Sequence, residues 1–82
     1  MLERLKSAHR VVGIKQSTRA VKDGNALMAF IAGDADRRVT QQLESLCIEK
    51  SIEVVRVGTM KELGEACGID VGAASAVILK TV

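Results

Sequence analysis

Short apolar runs and amphipathic stretches alternate along this chain. The longest apolar run covers residues 26–32, which is long enough for a strand whose two faces are both buried. Shorter runs predict further strands at residues 11–12, 52–57 and 76–79. None of these runs alternates cleanly between apolar and polar positions, so we expect a sheet that helices cover on both sides.

A long helix is predicted directly after the main apolar run. Asp36 is a suitable N-cap for a helix over residues 37–50, because a short carboxylate can accept from the first free backbone N–H groups. The spacing of its apolar side chains places one stripe on one helical face. The members of this stripe are Val39, Leu43, Leu46 and Cys47.

Glycines mark the ends of two other predicted helices. Gly24 ends a helix over residues 15–23, since glycine favours the position just after a helix. Thr59 and Glu62 form a capping box that opens a helix, and Gly68 ends it.

The order of elements predicts the fold class. A short helix is predicted over residues 2–9, before the first strand. Its inward positions are Leu2, Leu5 and either Ala8 or His9. Alternating helices and strands predict an α/β fold, a three-layer α/β/α sandwich around a small mixed sheet of about four strands. The chain of 82 residues has room for one domain, so residues 1–82 are expected to form a single unit.

The composition changes this picture mainly by what it excludes. Hydrophobic residues make up 48% and charged residues 27% of the chain, as in folded proteins, and Phe30 is the only aromatic residue. A platform that stacks bases on several rings is therefore excluded. Cys47, Cys67 and His9 cannot close a zinc site by themselves, so we expect no metal and no cofactor.

Nothing in the sequence predicts export or a membrane span. The first residues carry charges where a signal peptide has its apolar core. No apolar run approaches the roughly 20 residues that cross a bilayer. We expect a cytoplasmic protein with reduced thiols and no contact with a membrane.

The charge is distributed unevenly. The formal net charge is +2, but residues 1–22 carry +5 and residues 23–82 carry −3. A basic end on a nearly neutral body suggests a localised surface that binds anions. A solvated helix surface would give the same count, and charge alone does not separate these two interpretations.

No catalytic set is recognisable. The glycines Gly64, Gly68 and Gly72 match neither a phosphate-binding loop nor a dinucleotide fingerprint, and helix ends or close packing explain them. Asp34 and Asp36 follow a strand, where helix capping is a simpler role than metal binding or acid–base catalysis. Without a nucleophile, a base or a metal set, we expect no enzyme activity.

The positive signal is the segment 13–22. Lys15, Arg19 and Lys22 share one helical face, although like charges at this spacing repel each other. Gly13 would let the preceding turn approach a phosphate, and a helix start presents free N–H groups to an anion. Gln16 adds an amide that can pair with a base edge. This combination favours RNA or DNA over a small anion.

Three blocks of the sequence resemble one family. They begin at Gly13 (Gly-Ile-Lys-Gln-Ser-Thr-Arg), at Gly33 (Gly-Asp-Ala-Asp) and at Thr59 (Thr-Met-Lys-Glu-Leu-Gly-Glu-Ala-Cys-Gly-Ile-Asp-Val). In order and spacing they resemble the ribosomal protein L7Ae/L30e family of kink-turn RNA-binding proteins, above all its short bacterial members. The resemblance covers essentially the whole chain. It implies binding to a sharply bent RNA duplex built around tandem sheared G·A pairs.

The resemblance also implies roles for particular residues. Residues 13–22 would enter the major groove that the kink opens, with Lys15 and Gln16 reading the sheared guanines and Arg19 reaching a guanine and the backbone. The other implied contacts come from Asp36 near a flipped-out nucleotide and Lys61 at a phosphate. The full set of candidate RNA-binding residues is Gly13, Ile14, Lys15, Gln16, Arg19, Lys22, Asp36, Lys61, Ile69, Asp70 and Val71.

Two features of the implied site have their own consequences. Ile69, Asp70 and Val71 match a loop that covers unstacked nucleotides with apolar contact. Lys15-Gln16 stands where archaeal and eukaryal members usually carry Asn-Glu, so a glutamate acceptor for guanine amino groups is replaced by an amide oxygen. The added lysine charge should steepen the salt dependence of binding.

Two functions of different classes remain open from the sequence. The first is a non-catalytic RNA-binding domain that stabilises kink-turns in ribosomal, riboswitch or other structured RNA, with the ribosome as a candidate partner. The second is a protein-interaction module that uses Ile69 and Val71 as an exposed apolar patch. The sequence gives no reason to expect an oligomer, and we expect a monomer.

Overall fold

The computed structural model describes Leu5 and residues 9–80, and its sheet joins strands that lie far apart in sequence. The strands are β1 (Arg10–Val12), β2 (Ala26–Ala32), β3 (Glu53–Val57) and β4 (Ser75–Leu79). Their order across the sheet is β1-β4-β2-β3. The β2–β3 pair is parallel, whereas β4 runs antiparallel to both β1 and β2. The mixed sheet of four strands predicted from the sequence is confirmed.

Three helices connect the strands. They are α1 (Ile14–Lys22), α2 (Arg37–Glu49) and α3 (Met60–Ala66). Both ends of each helix lie within about two residues of the predicted bounds. The helix predicted at residues 2–9 lies outside the described residues, apart from Leu5, which is fully buried as predicted, and His9, which is exposed.

Side chains of each central strand alternate between two hydrophobic cores. One core lies on the α3 side of the sheet and includes Leu5, Met28, Phe30, Leu63, Cys67, Ala76 and Ile78. The other lies on the α1–α2 side and includes Ala20, Val21, Ala29, Ile31, Leu43, Cys47 and Val77. Because successive side chains of a strand point to opposite faces, β2 must be apolar at nearly every position. The three layers predicted from the sequence are therefore present.

The three helices end in the same way, but not with the same residue. After α1 and α3 the glycines Gly24 and Gly68 adopt the left-handed conformation, with φ of 72° and 77°. After α2 this position belongs to Ser51, with φ of 58°. In each case the following N–H groups bond back to the last turn, for example Ile52 to the Cys47 carbonyl at 2.8 Å, as in a Schellman motif.

The apolar stripe of α2 differs from the predicted one at its first member. Val39 is 44% exposed, and the neighbouring Thr40 is buried in its place at 6% exposure. Leu43 and Cys47 are fully buried as predicted, and Leu46 is partly buried. The stripe is therefore rotated toward Thr40 in the first turn, where Asp36 caps the helix and fixes its starting direction.

Candidate nucleic-acid interface

The segments that carry the predicted site meet at one edge of the sheet. β1, β2 and β3 run in one direction and end at this edge, while the antiparallel β4 begins there. The N-termini of α1, α2 and α3 follow directly after the three strand ends. Parallel strand ends in open α/β sheets are common places for ligand sites. The starts of α1, α2 and α3 and the segment that precedes β4 therefore lie together at this edge.

The start of α1 is left open. Gly13 occupies the N-cap with φ of 98°, donates its N–H to the Ser75 carbonyl at 2.8 Å, and provides no side-chain cap. The first turn holds no acidic residue. By contrast, Asp36 caps α2 and Thr59 caps α3 through the Glu62 N–H at 3.1 Å. The helix start nearest the predicted RNA site is thus the one whose N–H groups remain available to an anion.

The outer side of α1 is basic, as its spacing predicts. Lys15, Gln16, Arg19 and Lys22 are all exposed. The three basic residues line one shallow depression of about 410 Å³ together with Thr18 and Asp23. We call Lys15, Arg19 and Lys22 the basic helix face. Ile14 differs, because its side chain is partly buried and packs against the α1–α2 core.

The inner side of α1 is fixed to β4 by two hydroxyl groups. The Oγ atoms of Ser17 and Ser75 lie 2.9 Å apart, and both residues are fully buried. A buried hydroxyl is costly unless it is paired, so this bond fixes how α1 sits on the sheet. Sequence reasoning missed it. The only available signal was that Ser17 shares the inward face of α1 with Ala20 and Val21.

The apolar loop (residues 68–72) lies beside the start of α3. Lys61 and residues 69–71 line one depression of about 210 Å³, so the structure brings these four predicted site residues together. Val71 is 70% exposed and Asp70 is exposed. Ile69 is only partly exposed and packs against the α3-side core. The exposed apolar patch expected from Ile69 and Val71 is therefore largely Val71 alone.

Gly64 permits the apolar loop to approach α3 closely. A Cβ atom at this position would lie 2.1 Å from the Val71 carbonyl oxygen, which no side chain allows. The loop is tied at its far end as well, since the Ala73 N–H donates to the Met60 carbonyl at 3.0 Å. The glycine is therefore required for the position of the loop, consistent with the close packing expected for it.

Asp36 serves first as a helix cap. Its carboxylate accepts from the Arg38 backbone N–H at 2.9 Å and pairs with the Arg38 guanidinium at 2.9 Å. The side-chain bond from Arg38, supported by the backbone bond, holds the pKa of this exposed carboxyl below its usual value. Asp36 is therefore ionised at neutral pH.

A polar cleft of about 350 Å³ lies beside Asp36, between the start of α2 and the end of β3. Its lining includes Gly33, Arg37, Thr40 and Arg56, and the last of these pairs with Glu44. Thr40, which is 6% exposed, lies in its wall. A polar cleft lined by two arginines suits a polar, negatively charged occupant.

Asp34 binds the start of α3, which begins 26 residues later in the chain. Its Oδ1 atom accepts from the Met60 backbone N–H at 2.7 Å, so it ties the segment after β2 to the start of α3. Asp34 and Asp36 thus both bind backbone N–H groups at helix starts, as the capping interpretation predicts.

Cys47 and Cys67 are free and buried. Burial raises the pKa of the Cys47 and Cys67 thiols, so both stay protonated at neutral pH. Among residues 9–80 and Leu5, no group of three His, Cys, Asp or Glu side chains is placed to hold a metal ion. In the same residues no helix is both long and apolar enough to cross a bilayer.

The fold and this edge define a small α/β protein with a basic surface beside an uncapped helix start. The chain belongs to the Ribosomal protein L7Ae/L30e/S12e/Gadd45 family, whose model matches residues 2–82. The family expected from the three sequence blocks is therefore confirmed.

Curated relatives and solved structures agree with this assignment. The chain is 49% identical to an RNA-binding protein of Caldanaerobacter subterraneus over 67 residues, 82% of each chain. It is 40% identical to the RNA-binding protein YbxF of Geobacillus stearothermophilus over 76 residues, 93% of each chain. It is also 41% identical to the large ribosomal subunit protein eL8 of Halobacterium salinarum, over 82% of this chain and 57% of that one.

A solved structure shows the same fold. The Giardia lamblia 15.5kD RNA binding protein superimposes with a TM-score of 0.88 at 29% identity, over 98% of this chain and 71% of that chain.

Proposed function

We propose that this protein is a non-catalytic RNA-binding domain that recognises and stabilises kink-turns in structured RNA. The observation that carries the proposal is the open start of α1. It places free backbone N–H groups, Lys15 and Gln16 together at the edge of the sheet where the other predicted contacts lie. The names of its relatives as RNA-binding proteins support the RNA partner.

The chemistry of the edge suits a bent duplex better than a straight one. An intact A-form major groove is too narrow for side chains to read, so a helix start can reach guanine edges only where a kink opens the groove. In this proposal Lys15 and Gln16 contact the guanines of the sheared pairs, and the rest of the basic helix face contacts phosphates.

In this proposal the apolar loop, Lys61 and the cleft beside Asp36 contact the nucleotides next to the bend. Val71 covers unstacked bases by apolar contact, and Lys61 contacts a phosphate beside it. The cleft next to Asp36 accommodates the nucleotide that turns out of the bend, with Arg37 in its lining as a basic group for the phosphate of that nucleotide. Because Asp36 already binds Arg38, it acts there mainly by fixing the start of α2.

The proposal extends to the cellular setting. We propose that residues 1–82 act as one monomeric domain in the cytoplasm, on ribosomal RNA or on another structured RNA. The ribosome is a candidate assembly because the chain is similar to an archaeal large-subunit protein. A protein-interaction role through the apolar loop is less favoured, since Ile69 packs into the core and leaves only Val71 as a large exposed apolar side chain there.

The test is a gel shift with a labelled kink-turn RNA. We expect tight binding to this RNA, and weak, strongly salt-dependent binding to the same RNA with its sheared G·A pairs converted to Watson–Crick pairs. The double substitution Lys15→Ala with Gln16→Ala should weaken kink-turn binding by about 100-fold, because guanine contacts contribute about 1–3 kcal/mol each.

A control variant shows whether a loss of affinity is specific to this edge. Substitution of Lys50 and Lys80, which follow α2 and β4 at the opposite end of the sheet, removes the same kind of charge and should leave kink-turn affinity nearly unchanged. Equal, weak binding of wild type to both RNAs would contradict kink-turn recognition. A protein-interaction role through the apolar loop would then be the favoured function.

A further inference from the structure

Arg10 lies on an apolar face of the sheet. It pairs with Ile78 in the β1–β4 register, and Val12 and Ile78 both pack in the core on the α3 side. Since side chains two positions apart on a strand share a face, Arg10 projects toward α3 as Val12 does. A partly buried guanidinium in this layer has no role in the proposed RNA contacts.

The guanidinium reaches the end of α3. Its Nη2 atom donates a hydrogen bond to the backbone carbonyl of Cys67, a residue 57 positions later in the chain. Burial raises the pKa of the Cys67 thiol, and the hydrogen bond and charge of Arg10 partly oppose this rise. The same cation therefore lies close to both the carbonyl and the side chain of Cys67.

The Cys67 carbonyl is a group that the helix itself cannot satisfy. The bonds that end α3 use the Gly64 and Glu65 carbonyls, which accept from Ile69 at 3.1 Å and from Gly68 at 3.0 Å. Cys67 is the C-cap, whose carbonyl has no partner within a helix. A cation is favourable at this negative end of the helix. Arg10 thus completes the hydrogen bonding where the apolar loop begins.

Stability alone does not explain an arginine at this position. Within the described residues, the buried Nε atom of Arg10 has no hydrogen-bond partner. An unpaired buried donor costs free energy that an apolar side chain of similar length, such as methionine, would avoid. The bond to Cys67 and the unpaired Nε therefore have opposing effects on the free energy of unfolding.

We propose that Arg10 is a positioning residue that holds the start of the apolar loop, and through it determines how tightly the protein binds its kink-turn RNA. The inference rests on the proposed function, and it adds a residue that does not itself contact RNA. Gly64 and Met60 already fix the far part of the loop, through the close approach to Val71 and the bond to Ala73. Arg10 fixes the near end, at the residue before Gly68.

The experiment compares Arg10→Met, Arg10→Lys and wild type by three measurements. These are kink-turn affinity, the slope of that affinity with salt, and amide hydrogen exchange at Ile69 and Val71 in the free protein. For Arg10→Met we expect faster exchange at these amides, about tenfold weaker binding, an unchanged salt slope and a melting temperature close to wild type. Arg10→Lys should recover part of the affinity, because an ammonium can still donate one bond to the carbonyl.

Arg19→Met is the matched control. It removes the same charge from the basic helix face, so it should reduce the salt slope by about one and leave exchange in the loop unchanged. A reduced slope in Arg10→Met would instead show that Arg10 binds phosphate directly, and unchanged loop exchange would show that it does not hold the loop. Either result overturns the inference.

The inference and the proposed function fail in different ways. If wild type does not distinguish the kink-turn from its Watson–Crick control, the proposed function fails, and with it the link from Arg10 to RNA affinity. Hydrogen exchange in the free protein still shows whether Arg10 holds the loop. If wild type discriminates but Arg10→Met binds equally well with a more mobile loop, only the inference about Arg10 is overturned.

Discussion

Ile69 and Val71 are two positions apart and have different surroundings. Ile69 packs against the α3-side core, whereas Val71 is 70% exposed at the surface of the apolar loop. Sequence reasoning treats them alike, because both are branched apolar residues after Gly68. Only the close packing of the loop on Gly64 decides which one faces the core and which one faces a ligand.

Because of this difference, substitution by aspartate should have different effects on stability at Val71 and at Ile69. Val71→Asp should weaken kink-turn binding by about tenfold through charge repulsion with phosphates, and change the free energy of unfolding by less than about 0.5 kcal/mol. Ile69→Asp should weaken binding too, but it should also destabilise the protein by about 1–3 kcal/mol because a carboxylate enters the core. Urea unfolding and RNA titration measure the two effects. Equal stability of both variants would contradict the packing of Ile69.

Single residues also show what the sequence could not reveal. The bonds from Arg10 to Cys67 and from Ser17 to Ser75 join residues 57 and 58 positions apart. Each depends on β4 lying between β1 and β2, an order that no local pattern specifies. The exposed basic helix face, by contrast, follows from helical spacing alone, and its geometry was predictable.

At the scale of elements, the ends of the helices show which boundaries local sequence signals such as glycines and capping residues can predict. Gly24 and Gly68 mark two helix ends in the sequence, and the structure confirms both. The end of α2 was predicted one residue too late, because Ser51 occupies the left-handed position without the usual glycine signal. The start of α2 was predictable from Asp36, since its side-chain cap is a local interaction.

The same comparison predicts a stabilising substitution. Ser51→Gly should raise the free energy of unfolding by about 0.5–1 kcal/mol, because glycine adopts the left-handed conformation without the steric cost of a Cβ atom. Ser51→Ala is the control and should bring no gain, since alanine keeps that cost. Thermal unfolding measures both, and kink-turn binding should stay unchanged because Ser51 lies at the end of the sheet away from the site. A loss of stability in Ser51→Gly would contradict the conformation of this turn.

At the scale of the whole molecule, the charge of the N-terminal segment and the topology reinforce each other. The basic residues of α1 form a surface there because α1 starts at the same edge as the apolar loop and the cleft beside Asp36. Fold class and layers were predictable from the alternation of elements. The position of each strand in the sheet was not, since it depends on long-range pairing.

This arrangement predicts where the salt dependence of binding arises. The triple substitution of Lys15, Arg19 and Lys22 by alanine should reduce the slope of log affinity against log salt by about two, or about one for each of the phosphate contacts of Arg19 and Lys22. The double substitution of Lys50 and Lys80 by alanine should leave the slope nearly unchanged. Titrations at several salt concentrations measure both. A similar loss of slope in the two variants would mean that the whole surface, and not one edge, attracts RNA.

The burial of both thiols makes this protein convenient to label. Cys47 and Cys67 are at most 1% exposed, and their raised pKa values further reduce their reactivity with maleimides. A cysteine introduced at the exposed Lys50 would therefore take up a fluorophore selectively in the native state. Paired with a dye on one arm of the RNA, it would report bending of the duplex by energy transfer, from a point that the proposed complex leaves uncovered.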